Sequence, residues 1–325
     1  MELITVPMRS PRFYGEVFRL WFTPSGHSLL VLTGSSDGPN RLHRWNLVAG
    51  KLTGRRTVVT DDEHGICHPE PTFTRDHRLM AYGDRFEEVR TRRQKYLVGA
   101  HDNYYAGFAF ASDGAVLYGA VSGRRADQLW WIDRWDLPIK IAGSGDHIQA
   151  WPEVSLSITD DDFGGPSELA VSPDGGLLAV QMYDARRVYR FKLPTGELMH
   201  PLTLPGVHGQ GEGDGTLRFS PDGRTLAVAA PGVYLLDPLG TSRPRLTLPT
   251  GPVADLAFTP DGTRLLTVAG KEATVWDTAA GKPLARYGWG KQAGPLRAVA
   301  VAPDGLTAAV GGTRGRVVRW DLDDG

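Results

Sequence analysis

Phe258-Thr259-Pro260-Asp261-Gly262 occurs once in this form and six more times as a variant. The variants are Phe22-Thr23-Pro24-Ser25-Gly26, Phe73-Thr74-Arg75-Asp76-His77, Phe110-Ala111-Ser112-Asp113-Gly114, Val171-Ser172-Pro173-Asp174-Gly175, Phe219-Ser220-Pro221-Asp222-Gly223 and Val301-Ala302-Pro303-Asp304-Gly305. Each is preceded and followed by a short alternating apolar run, as with Val253 to Phe258 before the motif and Arg264 to Val268 after it. The letters describe a tight turn between two strands. Pro presets φ at the first central position, Asp hydrogen-bonds its own backbone, and Gly takes the positive φ that ends the turn. A β-hairpin is the product.

A third strand follows in most copies and closes on an aromatic-acid pair, at Trp135-Asp136, Trp276-Asp277 and Trp320-Asp321. Weakened forms stand at Trp45-Asn46, Phe191-Lys192 and Leu236-Asp237. A Gly-bearing turn and a fourth short strand come next, such as Pro283 to Arg286. Four strands per unit make one propeller blade. The motifs begin at 22, 73, 110, 171, 219, 258 and 301, so successive steps are 51, 37, 61, 48, 39 and 43 residues with a mean of about 46. That is close to the roughly 40 to 45 residues of such a blade.

The run of Pro-Asp-Gly hairpins followed by Trp-Asp strands resembles the WD-repeat (WD40) family in a seven-bladed form. The Gly-His dipeptide that opens many repeats of that family is not reproduced at regular positions. The expected fold therefore rests on strand pairing and apolar packing: an all-β, seven-bladed propeller forming one domain over residues 1–325. After Val301 the chain has room for second and third strands, at Thr307 to Gly311 and Arg316 to Leu322, and no fourth. The extended segment Leu3 to Met8 is expected to supply it and close the ring, which removes an open sheet edge.

Composition is that of an ordinary globular chain, 41% hydrophobic and 22% charged, and the 40 Gly and 23 Pro are explained by repeated tight turns. The net charge of −1 speaks against nucleic-acid binding by bulk electrostatics. The single cysteine, Cys67, allows no internal disulfide and points to a cytoplasmic setting. No signal peptide or membrane-length apolar run is present, and a monomer is expected.

Irregularities concentrate where function is expected. Blade 2 loses both Pro and Gly from its turn, and its third strand is read as the basic segment Val89 to Arg93. An insertion over Pro138 to Pro152 follows the Trp-rich third strand of blade 3 and is equally readable as a binding loop or a packing flap. Connections between blades include Asp61-Asp62-Glu63-His64, His101-Asp102-Asn103-Tyr104-Tyr105, Asp160-Asp161-Asp162 and His208 to Asp214. They could supply oxygen or nitrogen ligands from Asp160 to Asp162, Glu212, Asp214, His64, His101 or His208, but no spacing is diagnostic, and no metal or cofactor is assigned.

Basic loops alternate with them: Gly123-Arg124-Arg125, Asp184 to Arg187 and Thr313 to Arg316. A face of mixed sign suits a protein partner, and Arg and aromatic residues are the usual interface anchors. Arg124, Arg125, Arg186, Arg187, Tyr104, Tyr105 and Trp289 are the partner-binding candidates. No catalytic signature stands in its required context. Resemblance to WD-repeat proteins implies a non-catalytic interaction scaffold that binds a protein or peptide. A lactonase-like propeller hydrolase, with a metal or an acidic residue at the central channel, is the alternative, and a regulatory domain of a larger polypeptide a third reading.

Overall fold

In the computed structural model each recurring turn is held by its own side chains. Thr259 Oγ1 donates to Asp261 Oδ1 (2.6 Å) and accepts the Arg264 N–H (3.1 Å), while Asp261 Oδ1 also accepts the Thr263 N–H (3.0 Å). Gly262 closes the turn at φ +70°. The same bonds recur at Ser172 with Asp174 and at Ser220 with Asp222. These hydroxyls, followed by the backbone N–H groups, hold Asp174 and Asp222 below the usual carboxylate range, and Thr259 does the same at Asp261 against some burial. At Asp76 burial acts upward but is outweighed by the N–H of Arg78, the Thr74 hydroxyl and the Arg78 side chain. His77 takes the glycine position of that turn at φ +56°, with its ring stacked on Phe73 at 5.0 Å.

The structure describes residues 2–5, 15–35, 38–58, 71–83, 85–92, 94–96, 104–125, 128–137, 154–157, 166–182, 187–205, 215–240 and 243–323. They form seven antiparallel sheets, six of four strands and one of five, and the fold is an all-β, seven-bladed β-propeller. Blade 1 runs Glu16–Phe22, Ser28–Ser35, Gly38–Asn46, Lys51–Val58. Blade 6 runs Asp255–Phe258, Arg264–Ala269, Glu272–Asp277, Pro283–Gly288. In blade 7, Leu296–Val301, Thr307–Gly312 and Arg316–Asp321 are joined by Glu2–Thr5, in register Glu2 with Arg319 and Thr5 with Arg316. The N-terminal strand thus completes the last blade, as the strand count requires, and Ile4 is 1% exposed there. Residues 6–8 of the expected strand lie outside the described residues.

Blade 2 departs from expectation. Its third strand is Arg85–Glu88 and its fourth Gln94–Tyr96, so Val89 to Thr91 form the turn between them. The second strand, Leu79–Tyr82, is short and Gly83 reverses the chain at φ +57°, which brings the third strand forward. Arg92 sits at φ +58° next to the turn, and Arg93 is outside the described residues.

Contacts divide the chain into two compact units: Met1–Val59 with Ser220–Pro238 and Pro244–Gly325, and Thr60–Phe219 with Leu239–Arg243. In the first, apolar layers lie between successive sheets. Leu266, Val268 and Val275 of blade 6 pack with Val299, Val310 and Trp320 of blade 7, and Ala298, Ala309 and Val317 of blade 7 pack with Val17, Leu29 and Val31 of blade 1. Alternate residues of one strand therefore serve opposite neighbours, which is why second strands read as unbroken apolar runs. In the second unit, Tyr105, Phe108 and Trp135 form an aromatic core with centroids 4.9 to 6.5 Å apart.

Trp276 shows what the Trp-Asp strand does. It is 2% exposed and its Nε1 donates to Thr267 Oγ1 (2.9 Å) on the neighbouring strand. The register places Val310 and Val31 where Thr267 stands, opposite Val318 and His43. A methyl cannot accept, and the buried Nε1 atoms of Trp320 and Trp45 have no hydrogen-bond partner.

Candidate functional site

The first strands begin at the end of each blade that receives the connection from the preceding blade. At this end the strands of four blades carry a register shift: between Val17 and Arg19, Tyr105 and Gly107, Pro166 and Glu168, and Leu296 and Ala298. Such a bulge re-aims the residue that follows. That residue stands five positions before the Pro, or its Ser112 replacement, of the downstream turn. Glu168 and Asp255 occupy this position in blades 4 and 6.

Both reach the backbone of the next blade. Asp255 Oδ2 accepts the Val299 N–H (3.0 Å), and its Oδ1 accepts its neighbour's N–H from Leu256 (2.9 Å) and Arg19 NH1 (3.1 Å). Glu168 Oε2 accepts the Leu217 N–H (2.8 Å), and its Oε1 pairs with Arg218. Ala298, the blade 7 residue at this position, is small and fully buried. The Asp255 side chain is 4% exposed and that of Arg19 12%, so this pair is a desolvated framework on the floor of the connection end.

Around it the connection end of blades 6 and 7 is tied into one frame. Leu296 N–H donates to Gly270 O (2.6 Å), Thr313 N–H to Pro295 O (2.9 Å) and Arg314 N–H to Ala293 O (3.0 Å). A Cβ on Gly312 would overlap the carbonyl oxygens of Pro295 and Ala293, and only glycine allows that approach. The short helix Gly290–Ala293 lies in this connection, and Arg314 NH1 caps Lys291 O (2.8 Å).

Charge is segregated along these strands. The connection end of blades 6 and 7 presents exposed Lys271, Lys291, Arg297, Arg314 and Arg316 with Glu272 and, from blade 1, Glu16, an excess of three positive charges. Arg297 approaches Glu16 at 3.8 Å, and among the described residues Lys271, Lys291, Arg314 and Arg316 form no ion pair. The opposite, turn end of the same blades carries Asp261, Asp277, Asp304, Asp321 and Asp323 with Arg264 and Lys282, an excess of three negative charges. Within a Debye length of about 8 to 10 Å such charges act together.

The sequence candidates fall in different places. Tyr105 is 6% exposed, and its ring packs on Phe108 and Trp135 while its hydroxyl donates to Asp133 (3.3 Å); it is a core residue and not a surface anchor. Tyr104 begins that strand, and Arg124 and Arg125 end the next one, with Arg125 opposite Gln128. Arg187 is partly buried opposite Thr203. Arg186 lies outside the described residues. Trp289 sits in the blade 6 to blade 7 connection, stacked on Tyr287 (6.0 Å, 5°) and against Trp320 (5.8 Å). Trp289 lies at the basic connection end of blades 6 and 7, with Arg314 and Arg316 of the basic loop Thr313 to Arg316.

Among the described residues no three His, Cys, Asp or Glu side chains form a group able to hold a metal ion. The metal-ligand candidates His64, His101, Asp160 to Asp162, His208, Glu212 and Asp214, and the insertion Pro138 to Pro152, lie outside those residues. No described helix is long and apolar enough to cross a membrane. No protein-family model matches the chain, and no curated protein matches it.

Proposed function

We propose that the chain is a non-catalytic binding platform of the WD-repeat type, working in the cytoplasm, that meets a protein partner with the connection end of its sixth and seventh blades. The observation that carries this reading is the row of exposed, unpaired cations Lys271, Lys291, Arg314 and Arg316 on a hydrogen-bonded frame. A rigid frame loses little entropy on binding, and surface charge of one sign steers a complementary partner. The Trp-Asp strands and the Trp276 to Thr267 bond support the WD-repeat type. Asp255 is already engaged by two N–H groups and an arginine, so it serves the framework and not proton transfer.

The test is affinity capture from a lysate on the immobilised chain, intact and as Lys271→Glu/Lys291→Glu/Arg316→Glu. A protein held by the first and released by the second is the expected result. Equal capture by both, or turnover of ester and lactone substrates by the purified chain, would overturn the reading.

A further inference from the structure

Resting on that platform reading, we infer that the connection end of blades 6 and 7 takes an extended acidic peptide segment. The cations stand on three successive segments: Lys271 on the turn between the second and third strands of blade 6, Lys291 on the connection, and Arg314 and Arg316 on the corresponding turn of blade 7. Backbone bonds from Leu296 to Gly270 and from Thr313 and Arg314 to Pro295 and Ala293 set these segments side by side. The charges are thus spread over three adjoining segments, which matches a chain of carboxylates better than a single small anion.

A nucleic acid binds by neutralising many phosphates, and the connection end of blades 6 and 7 offers an excess of only three positive charges. A short acidic segment meets only the basic end. Its carboxylates match Arg316 and Arg314 in geometry and Lys271 and Lys291 as point charges.

The experiment is fluorescence anisotropy with a fluorescein-labelled decapeptide of alternating Glu and Ser, with a Lys and Ser decapeptide as the reversed-charge control. The Glu peptide is expected to bind, to weaken with added salt, and to bind about tenfold less tightly to Lys271→Glu/Lys291→Glu/Arg316→Glu. Lys282→Glu, on the turn end, should leave binding unchanged, and matching thermal unfolding curves establish that the variants are folded. Should the triple variant not fold, Lys291→Glu alone is measured, with a loss of about threefold expected. No binding of the Glu peptide, equal binding to the variants, or displacement by a single-stranded oligonucleotide at lower concentration than by unlabelled Glu peptide would overturn the inference. If the lysate capture still loses a protein with the triple variant while the Glu peptide fails to bind, the partner class is wrong and the platform stands.

Discussion

Asp255→Ala removes the acceptor on which three donors converge, and its cost can be worked from the contacts. Val299 N–H loses its acceptor in the blade 6 to blade 7 layer, which costs about 1 to 3 kcal/mol for a buried donor. Arg19, with a side chain 12% exposed, is left without the carboxylate at 3.1 Å. Together the loss should be about 3 to 5 kcal/mol, the range for removing one partner of a buried pair. Glu168→Ala is the internal comparison. The same backbone link to Leu217 is lost, but Arg218 is 36% exposed and Glu168 17%, so water takes over the cation and about 1 to 2 kcal/mol is expected. Urea unfolding gives the totals, and native-state hydrogen exchange at the Val299 and Leu217 amides gives the local effect. Equal costs for the two variants, or an Asp255→Ala loss below about 0.5 kcal/mol with unchanged Val299 exchange, would refute the desolvated-framework argument.

The remaining predictions concern the same sheets. Thr267→Val should cost about 1 to 2 kcal/mol by orphaning Trp276 Nε1, whereas Val310→Thr should be neutral or stabilising because Trp320 Nε1 lacks an acceptor; thermal unfolding of both checks the sign. The turn aspartates 76, 174, 222 and 261 have lowered folded-state values, so their stabilisation is present above the unfolded value near pH 4 and is lost as pH falls through the folded values. Ser172→Ala/Ser220→Ala/Thr259→Ala should therefore move the acid-unfolding midpoint to higher pH. His43 is 1% exposed, and burial first, then Arg55 and Arg41, lower its pKa from 6.5 to about 4. The unfolded chain binds the proton first, so stability should fall by about 3 kcal/mol from pH 6.5 to about 4 and level off below, a slope that His43→Gln removes in pH-dependent urea titrations.

The turns were legible because their chemistry is local: Pro, Asp and Gly each act within the motif, and the structure repeats their bonds copy by copy. Closure by the N-terminal strand was legible from strand counting. In blade 2 the turn Thr74-Arg75-Asp76-His77 was legible but the third strand was not, since the early reversal at Gly83 brings it forward to Arg85–Glu88. Tyr105 reads as a loop aromatic until the strand Tyr104–Phe110 is seen to start at the connection, which turns its ring inward. The framework acids Glu168 and Asp255 had a signal, an acidic residue five positions before the turn proline, but what they bind is backbone of the next blade and carries no sequence mark. Charge segregation was likewise hidden, because Lys271, Lys291 and Arg316 are scattered in sequence and share an end only once strand direction is fixed.

The most direct measurement places a photoreactive benzophenone residue at Lys291, and in a second sample at Lys282, then irradiates each in a lysate with and without excess Glu and Ser decapeptide. A protein crosslinked from position 291 and not from 282, and suppressed by the peptide, is the result predicted for a platform that binds through its basic connection end. Crosslinking from 282 alone, or equally from both positions, would contradict it.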